Sequence, residues 1–176
     1  MKDIVLISGF INGLTPGDHA AHIHEFGDLT HGCESVGGHF NPLNKPHGNI
    51  NAIPSHLGDL GNIHTNKLGV TYVNKLAKGI SLSGYDYSIV GRALVIHQLA
   101  DDLGGIKEVM KSDIVDSEML VDKLSRRSLP ANIIDEKLMS DVKILSLKTG
   151  NAGSRVACGI IGLANVAPTK TLHIGH

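Results

Sequence analysis

Glycine-rich turns divide the first 105 residues into short apolar runs, and this pattern constrains the fold more than any other feature of the sequence. Glycine supplies 21 of the 176 residues, about 12% against a usual ~7%. Runs typical of strands lie at residues 4–14, 19–26, 70–76, 88–98 and 155–165. Short strands at such intervals predict an all-β fold, either a sandwich or a Greek-key barrel.

Residues 106–147 differ in kind from the rest of the chain. The segment has no glycine and many charges, and its apolar residues recur at steps of three and four, as in an amphipathic helix. Pro130 is expected to break that helix, and residues 132–139 are a candidate second short helix. We expect a peripheral helical insertion in one domain that spans residues 1–176, and favour this over a partner-binding segment.

Composition argues against several classes of protein. With 16 basic and 17 acidic residues, the chain lacks the positive charge that nucleic-acid binding uses. No apolar run approaches the roughly 20 residues that cross a membrane. The run at residues 4–7 is broken by Ser8 and Gly9, and no cleavage site follows, so we expect a cytoplasmic protein. Two cysteines are too few for a disulfide scaffold.

The 11 histidines suggest a metal site where their spacing agrees. His22 and His24 lie two apart on a predicted strand and therefore point to the same face. Alone, such a pair is more often two ordinary surface or core histidines. The long loop at residues 27–56 favours a metal site, because connections of this length are usually functional or disordered. It offers three histidines, and an aspartate follows; together these satisfy tetrahedral zinc. The four residues are His39, His47, His56 and Asp59.

His97 ends a predicted strand and is a further candidate. An all-imidazole set of His22, His24, His97 and one more histidine suits copper, which leads the affinity order of divalent metals. The other histidines have no partner at a suitable spacing and are expected to be structural. They are His19, His31, His64, His173 and His176.

Several further segments join these histidines in one ordered set. They are 22–28 (HIHEFGD), 38–42 (GHFNP), 47–48 (HG), 56–62 (HLGDLGN), 80–84 (ISLSG), 90–92 (VGR), 97–104 (HQLADDLG), 149–155 (TGNAGSR) and 158–159 (CG). On these segments the chain resembles the copper/zinc superoxide dismutase family, in that family's order, over residues 4–105 and 148–165. The resemblance implies an immunoglobulin-like Greek-key barrel.

The resemblance also implies a site. Copper would be held by His22, His24, His39 and His97, and zinc by His39, His47, His56 and Asp59. His39 would then be an imidazolate bridge between the two metals. Asp101 would hydrogen-bond one histidine of each metal, His22 and His47. Cys33 and Cys158 would form a disulfide.

The implied activity is an oxidoreductase reaction, the disproportionation of superoxide to oxygen and hydrogen peroxide. Arg155 would attract and orient the anion beside copper, and His39 would carry a proton. Zinc, which has no redox chemistry, would be structural. A copper chaperone and a second copy of the chain are the implied protein partners.

Two departures from the family pattern stand out. Two strands that precede the run at residues 4–11 in the family have no counterpart, which predicts an open sheet edge and weaker dimer contacts. The insertion at 106–147 enlarges the electrostatic loop, where Ile144 and Leu145 replace acidic residues before Lys148. Retained intron sequence and an incomplete gene model explain these departures equally well.

Two alternatives to an active enzyme stay open. One is an inactive metal-binding relative whose incomplete barrel does not keep the site in geometry. The other is the dismutase-like domain of a copper chaperone, which is disfavoured because the chain has all four copper ligands and no Met-x-Cys-x-x-Cys motif.

Overall fold

The computed structural model describes residues 4–84, 86–105 and 136–165. Within these ranges the chain forms antiparallel strands, one short 3-10 turn at Glu34–Val36 and one α-helix. In chain order the elements are β1 (Ile4–Asn12), β2 (Gly17–His24), β3 (Thr30–Cys33), β4 (Asp59–Thr65), β5 (Val70–Lys78), β6 (Ala93–His97), α1 (Glu136–Thr149) and β7 (Arg155–Ile160).

Six of the strands form one antiparallel sheet in the order β1-β5-β4-β2-β6-β7, which curves into a half-barrel. Strand β2 lies inside the sheet, paired with β4 on one side and β6 on the other. Strands β1 and β7 are at its two ends. Neighbours in the sheet are often distant in sequence, as a Greek-key arrangement requires. The predicted all-β fold is therefore confirmed.

The core packs against one face of the sheet. Ile23 shows how the sequence places it, because it lies between two histidines on β2 and points to the opposite face from both. Both faces of β2 are covered, so all six residues from His19 to His24 are buried. The buried apolar cluster is Val5, Ala21, Ile23, Phe40, Leu60, Ile63, Ala77, Ile80, Ile89, Leu94 and Ile96.

The structure differs from the predicted elements in four places. The segment 27–56, predicted to be a loop, contains strand β3 and the 3-10 turn. No strand was predicted where β4 lies, because its core residues Leu60 and Ile63 are three apart rather than two. A bulge in the pairing of β2 with β4 accounts for that spacing. The predicted strand at 88–98 is a strand only at Ala93–His97. Helix α1 overlaps the predicted insertion but continues past residue 139 to Thr149, and residues 106–135 lie outside the described ranges.

Strand β1 agrees with the predicted open edge. It pairs with β5 along its whole length, and among the described residues no strand pairs with its other side. Ile4, Leu6 and Phe10 on this strand are exposed. In the parts of the chain that are described, no helix combines the length and the apolar character needed to cross a membrane.

Candidate metal centre

Strands β2 and β6 place the predicted copper ligands together. His22 and His24 project from one face of β2, and His97 is the last residue of β6, the strand paired beside it. His39, from the loop after β3, pairs by an isolated bridge with His24. The candidate ligand atoms of these four buried histidines all lie within 4.8 Å of one another.

A second group of donors adjoins the first. The ligand atoms of His22, His39, His47 and Asp59 also lie within 4.8 Å of one another. His56, which sequence analysis predicts in place of His22, is next to them. Its Nδ1 atom is 3.4 Å from Nδ1 of His39 and 3.2 Å from Oδ1 of Asp59. All four predicted zinc ligands therefore converge. His22 and His39 both belong to the two groups, and His39 is the one that also belongs to both predicted ligand sets.

Five buried ring nitrogens fit bound metal. In the described part of the chain, these are the buried side-chain nitrogen or oxygen atoms that have no hydrogen-bond partner: Nδ1 of His22, Nε2 of His24, Nε2 of His39, Nδ1 of His47 and Nε2 of His97. Nδ1 of His47 lies 3.0 Å from Oδ1 of Asp59, but not in hydrogen-bond geometry. A buried polar atom left without a partner costs about 1–3 kcal/mol. Nitrogen lone pairs that converge in one buried place are the donors that copper and zinc accept.

In three of the predicted copper ligands, the ring nitrogen on the other side of the ring donates a hydrogen bond within the protein. Nδ1 of His24 donates to the carbonyl oxygen of Gly37 at 3.0 Å, and Nδ1 of His97 donates to that of Gly153 at 3.2 Å. Nε2 of His22 donates to Oδ2 of Asp101 at 2.8 Å. These bonds fix which nitrogen carries the proton and leave the other one free to bind metal.

Asp101 joins the two groups, as the resemblance predicts. Its Oδ2 accepts from His22, and its Oδ1 accepts from Nε2 of His47 at 2.7 Å. Burial by itself raises the pKa of this carboxyl, yet the two histidine bonds outweigh burial and hold its pKa well below the usual range. Asn62 fixes the backbone of Asp101 by bonds to both its amide and its carbonyl, at 2.6 and 2.9 Å.

The pKa shifts of three predicted copper ligands differ in direction from that of the predicted zinc ligand His47. Burial lowers the pKa of His22 to about 3, of His24 to about 2 and of His97 to about 4, so these rings are neutral near pH 7. Burial acts on His47 in the same direction, but the carboxylates of Asp101 and Asp59 prevail and raise its pKa to about 9. In the metal-free protein a proton therefore competes with zinc for His47.

Arg155 is fixed against the loop beside the copper-side histidines. Its Nη1 donates to the carbonyl of Cys33 at 2.6 Å and its Nη2 to that of Gly37 at 2.7 Å. Its positive charge is among the causes, after burial, that lower the pKa of His24 and His97. The guanidinium is therefore close enough to act electrostatically on these rings.

The predicted disulfide is present between Cys33 and Cys158. It joins β3 to β7, the strand that Arg155 begins. Both cysteines are used, so none is free.

Three residues around Asp101 have roles that were not predicted from the sequence. Asn62 positions its backbone, while Gly150 and Asp102 pack beside it. All three stand inside the matching segments, and position in those segments was the available signal. His19, expected to be structural, is buried, and its Nδ1 donates to the carbonyl of His97 at 2.8 Å.

Of the remaining histidines, the two that the structure describes lie outside both donor groups. His64 is exposed and pairs with Asp18 at 2.7 Å. His31 lies on the exposed part of β3. His173 and His176 lie outside the described residues.

Fold and site together define a half-barrel β metalloprotein with two adjoining donor groups that share His22 and His39. The family model for copper/zinc superoxide dismutase (SODC) matches residues 1–161. Superoxide dismutase (Cu-Zn) 3 of Arabidopsis thaliana is 44% identical over 166 residues, which cover 93% of this chain and 78% of that protein. Superoxide dismutase (Cu-Zn) 5 of Dictyostelium discoideum is 41% identical, with 94% and 85% covered.

Two further matches are an extracellular enzyme and a protein of known structure. The extracellular superoxide dismutase (Cu-Zn) of Brugia pahangi is 41% identical, and the match spans 93% of this chain but 65% of that protein. A crystal structure of the clock protein EA4 superposes with a TM-score of 0.67 at 38% identity, covering 92% of this chain and 80% of that one. The chain belongs to the copper/zinc superoxide dismutase family. It is an oxidoreductase that acts on superoxide, with copper and zinc as its cofactors.

Proposed function

We propose that this chain disproportionates superoxide at a copper site that shares the ring of His39 with a zinc site. The observation that carries the proposal is the set of five buried ring nitrogens without a hydrogen-bond partner in the described residues, all of which belong to the two donor groups. Copper would be held by His22, His24, His39 and His97, and zinc by His39, His47, His56 and Asp59.

His39 is assigned as the bridge because its two nitrogens are placed differently. Nε2 has no partner in the described structure, whereas Nδ1 is 3.0 Å from Oδ1 of the zinc-side carboxylate of Asp59. One ring therefore offers a nitrogen to each donor group. Burial lowers the pKa of His39, which favours the neutral form of the ring, the form that binds metal.

Bound copper supplies reversible one-electron chemistry, and the residues of the chain supply the rest. The balanced reaction turns two superoxide anions and two protons into one molecule of oxygen and one of hydrogen peroxide. We assign Nε2 of His39, which has no hydrogen-bond partner in the described structure, to take up a proton from solvent and pass it on as one of the two. The second proton comes from solvent.

Arg155 binds and orients the superoxide anion. Three backbone carbonyls, those of Cys33, Glu34 and Gly37, hold its guanidinium, so the charge is preorganised. A fixed positive charge beside the reacting centre draws in a small anion and raises its local concentration. An arginine keeps this charge at every physiological pH.

Asp101 and Asp59 hold the histidines rather than react. Asp101 keeps Nε2 of His22 and of His47 protonated, which leaves their Nδ1 atoms free for the metals. Oδ2 of Asp59 also accepts hydrogen bonds from the backbone amides of His56 and Gly48, at 2.8 and 3.0 Å. These bonds fix the loop that carries His47 and His56 next to Asp59.

The test is to load the purified chain with copper and zinc, count both metals and measure superoxide removal. Near one copper and one zinc per chain, with turnover that His97→Ala abolishes, is the expected result. Exposed His64 offers a control, since His64→Ala removes a histidine outside both groups and should leave turnover unchanged. Stoichiometric metal without turnover would contradict the proposal and favour the inactive metal-binding relative.

The cellular compartment of the protein is a separate proposal. We propose a cytoplasmic protein. In support, the apolar run at residues 4–7 is part of the paired strand β1, whereas the disulfide between Cys33 and Cys158 is unusual in that compartment. Fractionation of expressing cells into cytosolic and secreted protein tests this; the chain in the secreted fraction alone would contradict it.

We also propose that a copper chaperone delivers copper to the chain and that the chain associates with a second copy of itself. Support for the first is that all four copper-side histidines are buried, and support for the second is that Ile160, on the end strand β7, is half exposed. Copper content in cells with and without a chaperone tests the first proposal. Molar mass in solution tests the second, and a monomer at every concentration would contradict it.

A further inference from the structure

Asp102, the neighbour of Asp101, bonds to the end of α1 and to the turn that follows it. Its Oδ1 accepts from the hydroxyl of Ser146 at 2.9 Å, and its Oδ2 accepts from Nδ2 of Asn151 at 2.6 Å. Its backbone amide donates to the carbonyl of Gly150 at 2.9 Å. Ser146 is fully buried, so its bond to Asp102 is shielded from water.

The turn that Asp102 holds lies directly on the bond between Asp101 and His47. Gly150 is buried with a φ of +65°, and a Cβ atom built there would collide with Oδ1 of Asp101 and lie 2.6 Å from Nε2 of His47. The end of α1 makes a second contact, because the backbone amide of His47 donates to the carbonyl of Leu147 at 2.9 Å. This turn therefore covers the zinc-side half of Asp101.

We propose that Asp102 is a positioning residue for the zinc site. By holding Ser146 and the Gly150 turn in place, it keeps water away from the bond that orients His47. A hydrogen bond to a carboxylate is stronger when water does not compete for it. The proposal rests on the assignment of His47 as a zinc ligand, and it concerns zinc more than copper because the turn covers Oδ1, the oxygen bound to His47, rather than Oδ2, the oxygen bound to His22.

The experiment measures zinc and copper release into excess chelator from the full chain loaded with both metals. Asp102→Ala should release zinc about tenfold faster, the lower end of the effect of losing an outer partner of a metal ligand. Copper release should change much less. Amide hydrogen exchange at His47 should quicken as well, since its amide bonds to the end of α1.

Two further variants separate positioning from general stability. Ser146→Ala removes one bond of Asp102 with little change in size; it should also speed zinc release, and adding Asp102→Ala should give less than the product of the two effects. Asp141→Ala removes an exposed carboxylate from the same helix and is the charge control, with zinc release expected to match the unmodified chain.

Zinc release within twofold of the unmodified chain would overturn the proposal, as would equal acceleration of zinc and copper release together with a lower melting temperature. Failure of the proposed function is a separate result. An unmodified chain that binds no zinc overturns both, whereas normal zinc content with unchanged release in Asp102→Ala overturns only the role of Asp102.

Discussion

Asp101 and His47 form a buried pair that holds the zinc side of the centre in one orientation. Nε2 of His47 donates to Oδ1 of Asp101 at 2.7 Å, and this leaves Nδ1 of the same ring 3.0 Å from the carboxylate of Asp59. Because the carboxyl of Asp101 also accepts from His22, one side chain fixes one ring on each side of the centre.

Removing that carboxylate should weaken zinc binding. Asp101→Ala leaves the Nε2 atoms of His22 and His47 buried without an acceptor, so we expect zinc affinity to fall roughly 10- to 100-fold. Competition against a zinc chelator measures this. Asp18→Ala, which removes an exposed carboxylate that also pairs with a histidine, is the matched control and should change nothing. Unaltered zinc affinity in Asp101→Ala would show that Asp101 does not orient His47.

Reversing the charge of Arg155 should slow turnover without loss of metal. Arg155→Glu replaces the fixed positive charge with one that repels superoxide, so kcat/KM should fall about tenfold or more, most at low ionic strength. Lys67→Glu makes the same charge change on an exposed turn and should have a much smaller effect. Metal content is measured on both variants, and lost copper in Arg155→Glu would mean that the residue is structural.

Adding a methyl group to Gly150 should damage the zinc side. In Gly150→Ala the new Cβ meets Asp101 and His47, so the bond between them must lengthen or break, and we expect faster zinc release. Gly84→Ala is the control for backbone strain, because Gly84 has a similarly positive φ of +78° and nothing within 4 Å of a Cβ. Equal zinc release from the two variants would contradict the close approach of Gly150 to Asp101.

The metal-free protein should lose stability as the pH falls below 6.5. His22, His24 and His97 have pKa values lowered to about 3, 2 and 4, so between pH 6.5 and about 5 the unfolded chain takes up protons that the folded chain does not. His47 is the opposite case, with a pKa raised to about 9; its contribution is complete below 6.5 and does not offset the loss. Thermal unfolding of the metal-free chain at both pH values measures this, and an unchanged or higher melting temperature at the lower pH would contradict it.

Removing the disulfide should cost both stability and turnover. Cys33 and Cys158 are 125 residues apart in sequence, and loss of a native disulfide typically costs about 2–5 kcal/mol. Turnover should fall as well, because the carbonyl of Cys33 is one of the acceptors that hold Arg155. Denaturant unfolding and turnover of Cys33→Ala/Cys158→Ala measure both effects. Reduced stability with full turnover would mean that the disulfide does not position Arg155.

The strand pattern and the spacing of His22 and His24 could be predicted because period-two geometry is local. Strand β4 could not, because its core residues follow a bulge that depends on pairing with β2. Spacing alone also left the fourth copper nitrogen unassigned, since His39 reaches His24 only through a bridge between distant segments. The contacts of Asp102 could not be predicted either, because its partner Ser146 lies 44 positions away, on α1.

The shared ring of His39 is the centre of the proposed site, and it is tested most directly by placing copper(II) in both donor groups and recording the electron paramagnetic resonance spectrum. An imidazolate between the two ions couples their unpaired electrons, so the signal at low temperature should be much weaker than that of the form with copper and zinc. His39→Ala should abolish this coupling in whatever copper the variant retains. Two independent copper signals of full intensity from the unmodified chain would contradict the bridge.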